Sequence, residues 1–354
     1  MGTKRWRTSA AAVVSGLIAT SASVVAVLSP AGATPAPAAQ RELVYVANAD
    51  AGPVTAYSAS SHGTVAPVQT VANPRNPATV WDPWGITFDR SGHLYVQTFL
   101  SDATSFVFAP GAHGAAGPVR IFKADGPDNR AIAVDVYGYE YVVGGEGDPV
   151  ISVEPPGASG SPGDLYAVPP VRTITLGGGF TPWPGILAVE TGNEVLAAVT
   201  GPQGNAIEFF RGGAGGGSTP VRVISGPRTG LGDCDSFIDC DHLSIAFSRL
   251  TGRIYAAVSA GGATHISVFA GTAAGDARPV RTIEGPATGL SGKVITGIAC
   301  SQVNGTIYAM VKTSQFGRGR VDAYRRLAAG DSRPLSSFTD RRSGFADAAA
   351  LAVI

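Results

Sequence analysis

The chain has 354 residues, with 26 Lys and Arg balanced against 26 Asp and Glu, and is 44 % hydrophobic and 15 % charged. A neutral chain has no long-range field to gather nucleic acid or an anionic membrane, so both partner classes are set aside. The length would accommodate two or three average domains, but toroidal β folds use it as one unit.

Lys4, Arg5 and Arg7 open the chain with no acidic residue before Glu42. A largely apolar run over residues 10–28 follows, and then the small-x-small step Ala31-Gly32-Ala33. Basic start, apolar middle and small-residue cleavage site make residues 1–33 a secretory signal peptide, with an uncleaved N-terminal anchor as the alternative. Residues 34–41 are Pro/Ala-rich and read as a short linker, which leaves residues 42–354 as the folded part, without a membrane span. The expected location is outside the cell or in the cell wall.

From Leu43 onward one pattern repeats. Alternating apolar residues, a glycine-containing turn and an apolar-Tyr-apolar step recur at residues 85–96, 131–142 and 297–309, with looser copies at 186–197 and 244–256. The turn glycines Gly92, Gly138, Gly192, Gly252 and Gly305 suit a tight hairpin. A third strand follows each hairpin, as in Ser105-Phe-Val-Phe108 and Ile266-Ser-Val-Phe269. After a Gly/Ala-rich turn, a fourth strand opens on proline: Pro67-Val, Pro118-Val-Arg, Pro170-Val-Arg, Pro220-Val-Arg, Pro279-Val-Arg and Pro334-Leu. Proline is tolerated at the start of an edge strand, where no partner needs its missing N–H. Six copies of a four-strand unit predict an all-β, six-bladed β-propeller. The pattern begins on a second strand, Leu43-Val-Tyr-Val46, and ends on a first strand around Ala350-Leu-Ala-Val353. The C-terminal strand is therefore expected to complete blade 1 and close the ring.

On the innermost strands a large apolar residue (Ile86, Ile132, Leu187, Ile245, Ile298, Leu351) precedes a small one (Thr87, Ala133, Ala188, Ala246, Ala299, Ala352). Small residues fit where blades crowd around the axis. Cys300 falls on the next position of this register and reads as a small core hydrophobe rather than a nucleophile. The tyrosines of strand two (Tyr45, Tyr95, Tyr141, Tyr255, Tyr308) read as packing residues.

The units at residues 209–231 and 268–290 resemble NHL-type repeats of secreted bacterial propellers, and the likeness runs over nearly all of residues 42–354. That resemblance implies the fold and leaves the activity open, since the wider NHL and SMP-30-like group holds binding domains, scaffolds and enzymes.

Long loops at residues 72–83, 176–184, 225–241 and 284–295 lead into the inner strands and share one face with the loops joining strands two and three. That face is where a ligand is expected. Trp81, Trp84 and Trp183 lie in it, and aromatic platforms suit a sugar ring or an apolar peptide segment; plugging the ring is the alternative. Asn129, Arg130 and His242 are the polar candidates of the same face. Asp82, Asn129, Asp241 and Asp347 precede or open inner strands and would offer hard oxygen ligands to Ca²⁺ or a similar cation, with side-chain capping of the loops as the plainer reading. Related propellers that act as metal-dependent lactonases imply a hydrolase with His242 as base, yet no motif of theirs matches residue by residue. Cys234 and Cys240 bracket five residues and would close a disulfide loop in an oxidising compartment, with a zinc site as rival. The reading that follows is a monomeric secreted module binding a glycan or protein, with a hydrolase or lyase and a structural envelope protein as alternatives.

Overall fold

The computed structural model describes residues 42–354 except for 51, 73–80, 100–103, 125–128, 130, 145–149, 162–165, 177–186, 190–193, 202–203, 233–242, 261 and 315–316. The expected signal peptide and linker lie outside the described residues.

Six sheets, each with a core of four antiparallel strands, follow one another around an axis with the first strand innermost. The innermost strands are Pro83–Phe88, Ala131–Val134, Leu187–Val189, Leu243–Ser248, Val294–Cys300 and Ala348–Val353. The last of these belongs to blade 1, as expected. It pairs with Leu43–Asn48 in the register Val44↔Val353, Tyr45↔Ala352 and Val46↔Leu351. The chain is a six-bladed β-propeller with a C-terminal closing strand.

Strand alternation builds the ring. Side chains along a strand point alternately to opposite faces, and in a blade both faces are buried against a neighbour. In Leu43–Asn48, Val44 and Val46 pack toward blade 6 while Tyr45 and Ala47 pack toward blade 2. The same division recurs at every interface, giving six apolar clusters that each join two adjacent blades. The strand-two tyrosines all turn to the following blade, where burial pushes their phenols up from the ordinary value. They pack, as their position implied.

The outer edge is managed by a device that the motifs did not disclose. Proline does not begin the fourth strand but stands two residues before it; regular pairing runs over Arg120–Lys123, Arg172–Thr175, Arg222–Ile224 and Arg281–Ile283. Between proline and arginine, each valine donates its N–H to strand three, for example Val119 to Val107 at 2.7 Å. The far edge of strand four, which would otherwise be open, meets the turn of the next blade in a parallel bridge. Val71 meets Gly114, Lys123 meets Ala167, Ile174 meets Gly216, Ile224 meets Gly275 and Ile283 meets Gly330. Gly114, Gly216, Gly275 and Gly330 hold φ between 53° and 63° there, a region that glycine enters without strain. In blade 3 the neighbouring Tyr166 takes the positive φ, 63°, instead. Between blades 6 and 1 the bridge lengthens into a fifth strand: Gly63–Val65 runs parallel to Ser336–Asp340.

Candidate functional site

The inner strands leave a central channel of about 230 Å³, walled by residues such as Ile86, Ala133, Ala246, Ile298 and Leu351. This wall is built mainly from the small and branched residues that the repeat placed there, with Thr87, Arg249 and Gln302 adding polar surface. Cys300 lines it while buried, and its Sγ contacts the carbonyl oxygen of Phe247 at 3.2 Å. Burial pushes its thiol up to about 12, so no thiolate is on offer near neutral pH.

One mouth of the channel lies on the long-loop face, where Trp84 opens the inner strand of blade 2. Its ring is half-buried, lines the channel and leans on Phe99, with centroids 5.0 Å apart and planes at 53°. Its Nε1 donates to Asp82 at 2.9 Å. No motif marks Phe99. It lies just past strand two, and its contact with Trp84 depends on the pairing of Leu94–Thr98 with Pro83–Phe88.

Trp81 is placed differently from the expectation. It is 3 % exposed, sits edge-on to Phe106 and Phe108 with centroids at 5.3 and 6.2 Å, and donates its indole N–H to Gly52 at 2.8 Å. Such a ring has no face left for a ligand. It fills the interface between blades 1 and 2, where burying an aromatic of this size stabilises by about 2–3 kcal/mol.

Asp82 is also committed to the fold. It is buried, with Oδ1 accepting the N–H of Asp50 at 2.8 Å and Oδ2 accepting from Trp84. It pins the loop after the first strand of the chain to the start of blade 2, which is the capping role rather than the metal-ligand role. Asp347 lies exposed on the loop before the closing strand, and its carbonyl accepts the N–H of Ala49 at 2.8 Å. Asn129 is fully buried at the head of blade 3. Its Nδ2 donates weakly to Ala124 at 3.4 Å, and its Oδ1 has no hydrogen-bond partner among the described residues. Arg130, Trp183, Asp241 and His242 lie outside the described residues, as do Cys234 and Cys240 with their expected disulfide. Among the described residues, no group of three His, Cys, Asp or Glu side chains stands close enough to hold a metal ion. Of the cation set expected, Asp82 is engaged in two hydrogen bonds, Asn129 is buried, Asp347 lies on the surface and Asp241 falls outside the described residues. His265 lies in the third strand of blade 5, with Nε2 2.8 Å from the carbonyl oxygen of Gly230.

No family model matches the chain, and no curated protein matches it. Solved structures do. A protein of unknown function from Bacteroides caccae is similar with a TM-score of 0.59 at 8 % identity, over 89 % of this chain and 99 % of that one. A chain of the nidogen–laminin complex is similar with a TM-score of 0.54 at 11 % identity, over 88 % of this chain and 98 % of that one. At such identities the likeness carries the architecture alone: this chain has the fold of a six-bladed β-propeller.

Proposed function

We propose that the chain is a secreted interaction module that binds an extracellular glycan or protein segment on its long-loop face, at the mouth of the central channel. The observation that carries the reading is the Trp84–Phe99 pair, a half-buried aromatic platform at the rim of the central concavity. Stacked aromatics offer a sugar ring or an apolar side chain a large surface with little conformational entropy to lose. Support for export comes from residues 1–33, and the relation to NHL-type repeats rests on the glycine-punctuated units at 209–231 and 268–290. One similar structure belongs to a complex between two proteins, nidogen and laminin, which is in keeping with a propeller that acts by binding.

Trp84→Ala is the direct test, read by titration against a panel of cell-wall glycans and envelope proteins. Binding is expected to weaken about tenfold with the melting temperature held near that of the parent. Binding unchanged by the substitution would remove the platform from the account. Turnover of a lactone or ester by the parent protein would favour the hydrolase reading instead.

A further inference from the structure

Blade 6 carries a second concavity, about 370 Å³ in volume, and no residue lines both it and the channel. It lies on the long-loop face, between Thr313 and Arg318, beside the ends of strands two and three of the blade, and the loop 341–347 that leads into the closing strand. Six of its side chains are cationic: Lys293, Lys312, Arg318, Arg320, Arg341 and Arg342. In a chain whose charges balance overall, that is a local concentration of one sign.

One acid, Asp340, lines the pocket itself, and it and the nearby acids are largely engaged in hydrogen bonds or ion pairs. Asp340 accepts from the Tyr57 hydroxyl at 2.8 Å and from the backbone N–H groups of Arg342 and Ser343 at 2.6 and 2.7 Å. Asp322 is fully buried behind Arg320, whose Nε reaches it at 2.8 Å, and it also takes the Ser337 hydroxyl. Asp347 lies near Lys312 and favours its charge, but at the surface. Lys293, Arg318, Arg341 and Arg342 make no ion pair among the described residues.

Lys312 is the most telling of the six. It lines the pocket while only 2 % exposed, and its ammonium donates to the carbonyl oxygens of Ala346 at 2.6 Å and Ala348 at 3.3 Å. An ammonium has three donors, so one remains. Burial lowers its pKa to about 8, and it stays mostly protonated at neutral pH.

The walls are set before any ligand arrives. Arg341 donates its N–H to Val65 and Gly319 to Gly344, both at 2.8 Å. Phe345, at φ 55°, is buried against Tyr57 and Phe338, with centroids at 5.3 and 6.0 Å. Thr64 completes the lining because the parallel bridge between blades becomes a full strand here.

We propose that this pocket binds a small polyanion through a tetrahedral oxyanion group, a phosphate or sulfate. Guanidinium forks match such groups with paired, charge-assisted hydrogen bonds, and the volume exceeds that of one ion, so a sugar-sized carrier fits. The inference does not depend on the Trp84 platform.

The test is calorimetric titration of the full chain with pyrophosphate, sulfate and citrate at physiological salt. Pyrophosphate or sulfate is expected to bind, more tightly than citrate, and to raise the melting temperature of the parent protein, a readout that needs no variant. Arg318→Gln combined with Arg341→Gln, both exposed side chains, is expected to weaken binding about tenfold or more. Arg325→Gln, which removes an exposed charge outside the pocket, and Trp84→Ala are expected to leave it unchanged. Equal weakening by Arg325→Gln would reduce the effect to net charge and overturn the site. Citrate binding as tightly as pyrophosphate would overturn the oxyanion class, and no binding by any probe would overturn the proposal outright.

Discussion

Glu140 and Glu154 stand where blade 2 has Leu94 and Phe108, as directly opposed cross-strand partners, and both are fully buried. Nothing in the repeat prepares for two carboxylates in an interface that elsewhere is apolar. The compensation comes from blade 2: the guanidinium of Arg120 lies 2.8 Å from Glu140. Desolvation nonetheless wins, and with Glu154 adding repulsion it lifts the Glu140 carboxyl to about 7 against the pull of Arg120. A carboxyl whose folded pKa lies above its unfolded value keeps its proton more firmly in the folded chain. Its contribution to stability is therefore complete below the unfolded value, near 4.5, and fades as pH rises through about 7. Urea denaturation at pH 5 and pH 8 should show the parent losing stability between the two, and Glu140→Gln losing less. Identical slopes would mean that Glu140 is ionised throughout. Trp81 and Asp82 teach the complementary lesson at this scale. Adjacent to Trp84 in sequence, they are turned into the core and into a cap, because what a loop side chain meets is set by the neighbouring blade and not by its own segment.

At the scale of the element, the fourth strand shows how far a motif reads. Pro-Val-Arg announces an edge strand, and an edge strand is there. What its arginine does is invisible in the motif, since the partner is a backbone carbonyl of the next blade, and a carbonyl has no residue-type signature. Arg120 reaches Ala158 at 2.7 Å, Arg172 reaches Gly212 at 2.7 Å, Arg222 reaches Ala273 at 2.9 Å and Arg281 reaches Arg326 at 2.8 Å. The arginine thus ties each of these blades to its successor at the rim, outside the apolar cluster. Arg222 adds an ion pair to Glu194 at 2.7 Å and lies over the Phe209 ring, 3.5 Å from its centroid. Arg222→Met keeps most of the stem packing but removes the donor and the charge. It is expected to lower unfolding stability by about 1–3 kcal/mol in urea titration. A loss within error would show that the rim contacts are solvated equally well when broken.

For the whole molecule, closure is the decisive event. The strand Ala348–Val353 supplies Leu351 to the interface with blade 6 and Ala352 to the interface with blade 2, so one segment completes two clusters. Deleting residues 348–354 would strip both and bare the edge of Leu43–Asn48 for pairing with another chain. The truncated protein is expected to melt at least 10 °C lower, on the order set by several lost kcal/mol, and to form oligomers in size-exclusion chromatography. A monomer with the parental melting curve would argue that the blades hold together without the clasp.

What was determined by the sequence itself is everything carried by local periodicity. Two-residue alternation, turn glycines and the recurring Pro-Val-Arg are each short-range, and together they specify the four-strand blade, the blade count, the ring order and the closing strand. The inner-strand pattern even placed Cys300 and the tyrosines in the core. Other features were decided by tertiary structure alone, because they join groups far apart in the chain and often engage the backbone. Gly63–Val65 meets Ser336–Asp340 across nearly the whole sequence, and no periodicity encodes that pairing. The folding of blade 6 gathers Lys293, Lys312 and four arginines from three loops and two strands around one pocket, which Thr64 completes from across the ring, while the aromatic and acidic residues that looked most like a site, Trp81 and Asp82, were used to hold the scaffold. Local pattern fixes which strands form; only the packing of loops and neighbouring blades decides which side chains face a ligand.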